Sequence, residues 1–553
     1  MAQKGTPAFP IFLYSNFDAE ALCQIASEIR RGPRCLCNLN QLPARGGFNW
    51  AVLLQFQDGV EWVFRSPVPN HPELSDEAVA KLLPSEVVTL RFLRKYVNLP
   101  VPNVYAYCAD RKNPVQVPYI LMSKADGKTL AMMWGTDDFH HRQGSLDIHI
   151  SKVLYQLGHI AWKLAQFRFS QIGSLCDEDG YIVIGECLSR GHLQHKRCTL
   201  KQVPRGPFAT ANEFYDSLIA ALTRHAEVLP LAPHCFTAPL PSERDFSSKG
   251  DWIDVCNHWG DFVTVGQKID SAANRVDYLI ASHALNDMIA QHESNSQGII
   301  TSSVPFSLCH PDLSVNNIFV DDQYNITCII DWAFTTTVPL SWLLSPPGFP
   351  QSRNRLEDNL CSAFRDGFRD ASSIGLPVQP EDLSIPRAIQ CIENSQFVWC
   401  LARFLAMDST DDLALFRTLW ELVYPPEKKL ESYFFSQRAS SRSRSQYASI
   451  RLEDLSSSDV QKIENGSFST SQQFELSVAR HLTMVADWGF ICDRFKCAGL
   501  RDTEQIFITE PRLWRWILAF KKDWCERIDT EDSKVETANN AIGSENNTEE
   551  SKN

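Results

Sequence analysis

The stretch Leu308–Phe334, LCHPDLSVNNIFVDDQYNITCIIDWAF, constrains this chain more than any other. It carries His310-Pro311-Asp312, then Asn317, then an apolar run Cys328-Ile329-Ile330 that delivers Asp331. Two short apolar strands, Ile318 to Val320 and Ile326 to Ile330, are predicted around a polar turn at Asp321 to Asn325. Successive strand residues face opposite sides, so a pair of strands holds its end residues in fixed directions. Two aspartates and an asparagine placed in this way form a hard-oxygen set suited to Mg²⁺ and polyphosphate. The spacing H-x-D-x-x-x-x-N with a later aspartate is the catalytic-loop pattern of phosphoryl-transfer enzymes.

Upstream features fall in an order that suits a nucleotide cleft. A helix is predicted over Asp18 to Arg31. Arg45-Gly46-Gly47-Phe48-Asn49 follows, a glycine pair in a loop before an antiparallel hairpin whose turn is Asp58-Gly59. Glycines there let backbone N–H groups approach phosphate oxygens, although most such pairs are simple turns. Arg65 ends the return strand Val60 to Arg65. A helix over Ser85 to Tyr96 places Glu86 in its first turn, where a carboxylate can hold the strand's cation. Taken singly, Arg65 and Glu86 are as easily surface charges. Tyr119 to Met122 reads as a strand, after which the backbone of Ser123 and Ala125 is expected to be free to pair with a planar heterocycle.

Composition narrows the class. A net charge of −13 argues against a nucleic-acid partner. No apolar run reaches the roughly 18 residues of a membrane span, and the opening MAQKGTPAFPIFLYSNFD shows no secretory pattern. The seventeen cysteines are scattered, without zinc spacing, and read as reduced thiols of a cytoplasmic protein. Helices are predicted over Ile148 to Phe167, Glu213 to His225, Arg355 to Ser373, Ile389 to Met407 and Leu413 to Leu422. Asp254 to His292 is also helical in pattern. Residues 186–300 carry no recognisable chemistry. Residues 436–470, with RASSRSRSQ, read as a polar low-complexity linker, 471–525 as a helical extension, and 526–553 as a disordered acidic tail.

These motifs together resemble the fungal branch of the aminoglycoside phosphotransferase and choline-kinase-like family. The resemblance rests on Arg45 to Asn49, Trp62 to Arg65, Ser85-Glu86, Tyr119 to Met122, Ile172-Gly173-Ser174-Leu175 and Leu308 to Trp332. It implies an α+β, protein-kinase-like two-lobed fold. The N-lobe would be 1–122, with a small antiparallel sheet, and the mainly helical C-lobe 123–435, with an insert at about 186–300. It implies Asp312 as catalytic base, Asn317 and Asp331 as Mg²⁺ ligands, and His310 as a brace. Arg65, paired with Glu86, would sit on the phosphates of ATP, covered by Gly46, Gly47 and Asn49. Ser123 and Ala125 would meet adenine. The acceptor would be a small-molecule hydroxyl. Asp126, Asp137, Asp138 and Asp147 would suit a cationic amine, or are solvated loop acids. Two departures are Arg65 in place of the family's lysine and proline between His310 and Asp312. A kinase-like binding module without catalysis is the alternative. A protein kinase fits less well, because no Ala-Pro-Glu segment follows Asp331.

Overall fold

The computed structural model describes residues 17–134 (apart from 40, 42, 47, 70 and 72), 143–229, 231, 272–295, 306–348, 358–374, 384–407 and 412–456. The chain divides into two units, residues 1–230 with 277–440, and residues 231–276 with 441–553. The first holds every candidate site residue. In the second, the helix Ser441–Ser456 occupies residues expected to form a polar linker. Its arginines, glutamine and leucines are good helix formers, but no apolar stripe marks them as helical in the sequence. The expected segments at 471–525 and 526–553 lie outside the described residues.

The N-terminal sheet grows from the predicted hairpin. Its strands are β1 (Cys35–Cys37), β2 (Ala44–Arg45), β3 (Asn49–Phe56), β4 (Glu61–Pro67), β5 (Val104–Cys108) and β6 (Tyr119–Ser123). They are antiparallel in the order β1-β3-β4-β6-β5, with β2 paired to β3. Gly46 therefore lies in the turn of a small β2–β3 hairpin rather than in a loop ahead of the sheet. Alternation sorts the two faces. Trp50, Val52, Leu54, Trp62 and Phe64 pack with Leu22 and Ala26 of α1 (Ala19–Arg30). Asp18 caps that helix by accepting the Ala21 N–H. The opposite face sends Val63, Ile120 and Met122 into the larger core with Val87 and Leu90 of α2 (Asp76–Phe92). Arg65, two residues from Val63, shares this second face.

α2 differs from its prediction. It spans Asp76–Phe92, not Ser85 to Tyr96, and ends in a wider turn over Leu93–Val97. Ser75 is its N-cap, accepting the Ala78 N–H. Pro84 lies inside it, where the missing N–H removes one rung. Glu86 thus sits in the helix interior and not in its first turn.

Two helices form the spine of the C-terminal lobe: α4 (Gln143–Ala165), preceded by the short α3 (Leu130–Trp134), and Asp358–Ile374. They meet backbone to backbone at Gly158 and Gly367. A Cβ at Gly367 would lie 1.9 Å from the Tyr155 carbonyl oxygen, and one at Gly158 would lie 2.2 Å from that of Phe364. The predicted helix Ile389 to Met407 is two helices, Ile385–Glu393 and Gln396–Ala406, joined at Asn394-Ser395. Of the region read as 254–292, the described part is the helix Ala272–Asn295. Gly367→Ala is expected to destabilise the protein by about 1–3 kcal/mol through overpacking. Urea unfolding followed by tryptophan fluorescence measures it.

Candidate active site

The opening stretch folds much as its pattern dictates. β11 (Ile318–Val320) and β12 (Ile326–Ile329) pair antiparallel. The turn between them is built on Asp321, whose carboxylate accepts the N–H groups of Gln323 and Asn325. Numbering in chain order, β7 (Lys128–Thr129) extends this sheet, β8 (Leu175–Glu178) and β9 (Tyr181–Ile184) form a separate hairpin, and β10 (Ser307–Cys309) leads into His310. Asn317 immediately precedes β11, and its carbonyl accepts the Ile330 N–H, so Asn317 and Asp331 lie at one end of the hairpin.

His310 ties the loop together. Its Nδ1 accepts the Asp312 N–H at 2.9 Å and its Nε2 donates to the Ile330 carbonyl at 3.0 Å, which assigns the neutral Nε2–H tautomer. Burial keeps its pKa below the ordinary value. The Trp332 ring stands edge-on to it at 4.6 Å. Asn317 Nδ2 donates to the Asp312 carbonyl at 2.9 Å. Asp331 adopts a left-handed backbone, φ 63°, and so does Phe334, φ 64°. Such a conformation in a residue with a side chain costs on the order of 1 kcal/mol or more and survives only where its surroundings enforce it.

Arg65 reaches Glu86 in an ion pair and approaches Asp331 Oδ1 at 3.5 Å. Burial works against the arginine's charge, but the attraction of Glu86 and Asp331 outweighs it and holds Arg65 above its ordinary value. Burial, helped by Asp331, pushes the Glu86 carboxyl up against the pull of Arg65 and of the Trp332 N–H that it accepts. A cleft opens beside this pair, bounded by Phe48, Asn49, Arg65, Glu86, Ala333 and Phe334. Phe48, at the glycine turn, packs edge-on against Phe334 at 5.2 Å.

The structure thus brings Asn49, Arg65, Glu86, Asn317, Asp312 and Asp331 to one region. Gly46 is at the turn, but its N–H already donates to the Asn49 carbonyl at 2.8 Å. Gly47 lies outside the described residues, as do Asp137 and Asp138. Ser123 is a correction. Its N–H donates to the Asn103 carbonyl and its hydroxyl accepts the Asn103 N–H, so its backbone donor is not open to a heterocycle. The cause is that β6 runs through Ser123, and Asn103, immediately ahead of β5, lies beside it where Val104 pairs with Met122. Ala125 follows the strand and is half-buried.

Arg190 was missed. It comes from α5 (Arg190–Leu193), inside the region that showed no chemistry in the sequence, and its Nη2 donates to Asp312 Oδ2 at 3.0 Å. The segment bearing it is held by polar contacts no sequence spacing announces. Ser189 Oγ bonds His192 Nδ1 at 2.8 Å, and His192 Nε2 meets Ser217 Oγ at 2.9 Å on α6 (Ala211–Val228). Ser174 Oγ accepts the Leu188 N–H and donates to the Thr335 carbonyl, so the Ile172-Gly173-Ser174-Leu175 motif splices this segment to the chain after Asp331.

Sheet, α2, the β11–β12 hairpin and helical lobe define a two-lobed, protein-kinase-like α+β fold. No family model matches the chain. It is 28% identical over 55% of its length to a subtelomeric hrmA-associated cluster protein of Aspergillus fumigatus, covering 59% of that protein. It is 22% identical over 51% of its length to the altered inheritance of mitochondria protein 9, mitochondrial, of Eremothecium gossypii, covering 45% of it. The chain thus spans about half the length of these curated relatives. Solved structures similar to it include a Plasmodium vivax ethanolamine kinase, at 12% identity, covering 75% of this chain and 84% of that one, TM-score 0.35. A macrolide 2'-phosphotransferase of Brachybacterium faecium is 13% identical, covering 74% of this chain and 100% of that one, TM-score 0.31. The expected cytoplasmic location is overturned by the relatives named as mitochondrial. Scattered thiols do not by themselves distinguish one compartment from another.

The fully buried His192 gives a pH signature. Burial, with Arg205 and Arg197 nearby, lowers its pKa from 6.5 to about 3. Between those values the unfolded chain binds the proton that the folded one refuses. The contribution to stability is therefore complete above about 6.5 and is lost as pH falls toward about 3. His192→Asn is expected to flatten the pH dependence of the urea-unfolding free energy across that window.

Proposed function

We propose that this chain is an ATP-dependent phosphotransferase that moves the γ-phosphoryl group of ATP to a hydroxyl of a small molecule. The observation that carries the reading is Arg65, which joins Glu86 of α2 to Asp331 at the end of the catalytic hairpin. One strand-borne cation thereby sits between the carboxylate that fixes it and the carboxylate that would face the metal. A guanidinium can do this where the family has lysine, because its planar fork serves two partners at once.

The donor set fits Mg²⁺. Asn317 commits its Nδ2 to the Asp312 carbonyl, which turns its Oδ1 away from that bond. Asp331 is 37% exposed and touches Arg65 through Oδ1. An amide oxygen and a carboxylate, completed by phosphate oxygens and water, are the usual holders of this cation. Bound there, the ion would neutralise charge on the β- and γ-phosphates. Asp312, held by His310 through its N–H, orients the acceptor hydroxyl and takes its proton as the oxygen bonds to phosphorus and the bond to the β-phosphate oxygen breaks. ADP leaves. Arg65 balances phosphate charge, and the work of the site is positioning and electrostatics.

Mg²⁺ and ATP together are expected to raise the melting temperature of the purified protein. Asp312→Ala should retain that shift and lose turnover, measured as ADP formed with a panel of hydroxylated metabolites. Asp331→Ala should lose the Mg²⁺ dependence of the shift. Binding with no turnover of any acceptor, or of water, would favour the non-catalytic module instead. The names of the relatives support a mitochondrial site of action. A fluorescent fusion of the full chain should coincide with a mitochondrial stain, and a diffuse cytosolic signal would oppose that assignment.

A further inference from the structure

A site that receives polyphosphate must offset its own carboxylates. Asp312 and Asp331 both repel an incoming phosphoryl group, and each is met by one guanidinium. Arg65 is committed on the Asp331 side, between that residue and Glu86. His310 spends its Nδ1 lone pair on the Asp312 N–H and its Nε2–H on the Ile330 carbonyl, so it brings no positive charge to the Asp312 side. Arg190 does bring one, with its side chain 21% exposed beside Asp312 at 22%.

The mounting of Arg190 exceeds what an ordinary ion pair needs, since exposed pairs add little to stability. On one flank Ser189 is locked to His192, which is enclosed between Ser189 and Ser217. On the other, the buried Arg197 donates to the Gly191 carbonyl at 2.8 Å. Leu188 and Leu193 pack in one cluster with Ala333 and Phe334, the residues that follow the metal-side aspartate. The segment is thus fixed to the same frame as Asp331 and aims its cation at Asp312.

We propose that Arg190 is a catalytic residue whose guanidinium contacts the phosphoryl group during transfer while one of its N–H groups keeps Asp312 in place. The inference rests on the phosphotransferase reading given above. In a loose transition state charge spreads over the three equatorial oxygens of the transferring group, and a planar fork can serve a carboxylate and one of those oxygens together. No bond to Arg190 forms or breaks, and it holds its proton throughout. Its contribution is greatest when the phosphoryl group is planar and midway, and small toward a bound diphosphate.

The test compares two probes on the full-length protein by isothermal titration: Mg·ADP, and Mg·ADP with aluminium fluoride, which mimics the planar group. The wild type is expected to bind the second at least tenfold more tightly than the first. Arg190→Gln should lose that difference and bind Mg·ADP unchanged within about twofold, whereas Arg190→Lys should keep part of it. A difference retained in Arg190→Gln overturns the proposal, as does an equal loss for both probes or a wild type that shows no difference. Failure of the wild type to bind Mg·ADP at all would defeat the phosphotransferase reading and this inference with it. If Arg190→Gln melts early, Arg190→Lys, which keeps the charge on the segment, decides the matter by its partial or complete loss.

Discussion

The contact between Arg65 and Glu86 is the constraint on which the rest of the site depends. Both side chains are largely buried, at 12% and 4% exposure. Separating them would leave an uncompensated charge in the interior, a cost of about 3–5 kcal/mol where one partner of a buried pair is removed. The pair therefore fixes how α2 lies on the sheet. Because Glu86 also accepts the Trp332 N–H and Arg65 approaches Asp331, the same contact fixes the end of the β11–β12 hairpin. Strand, helix and hairpin are set by one interaction, which makes it a structural lock.

A small apolar cluster does the remaining alignment. Leu74, Ala78 and Leu82 of the α2 region, Leu188 and Leu193 flanking Arg190, and Ala333 and Phe334 beyond Asp331 pack together, with Phe48 of the glycine turn against them. Each of these segments carries a polar residue of the site. Apolar packing has little directional preference, so direction comes from polar contacts at the cluster's border. Ser174, buried between Leu188 and Thr335, is one. His310, bridging Asp312 to Ile330, is another. The site is a set of loops held in register by a shared core and a few fully used hydrogen-bonding groups.

Where sequence reading went astray, a tertiary contact overrode a local signal. Ser85 looked like the start of a helix, yet α2 begins at Asp76 because Ser75 caps it and Ala78 and Leu82 find partners in the cluster. Ser123 looked like the free end of a strand, but Asn103 across the sheet uses its N–H and hydroxyl. Gly46 looked like an open phosphate donor, but the β2–β3 turn spends its N–H on Asn49.

The amino-acid order alone determined the hairpin β3–β4, the short strands around Asp321 to Asn325, and the placing of Asn317 and Asp331 at one end of them. Those features are local: alternation, a two-residue turn and an Asx turn write them within a few tens of residues. It also allowed Arg65 and Glu86 to be paired, since a strand and the next helix are neighbours in most folds. Only the tertiary structure decided what meets Asp312. Arg190 lies 122 residues away from it in the chain, on a short segment with no periodicity of its own. It arrives there because buried serines, His192 and Arg197 fix that segment against distant helices. A contact between segments so far apart leaves no spacing for sequence to record.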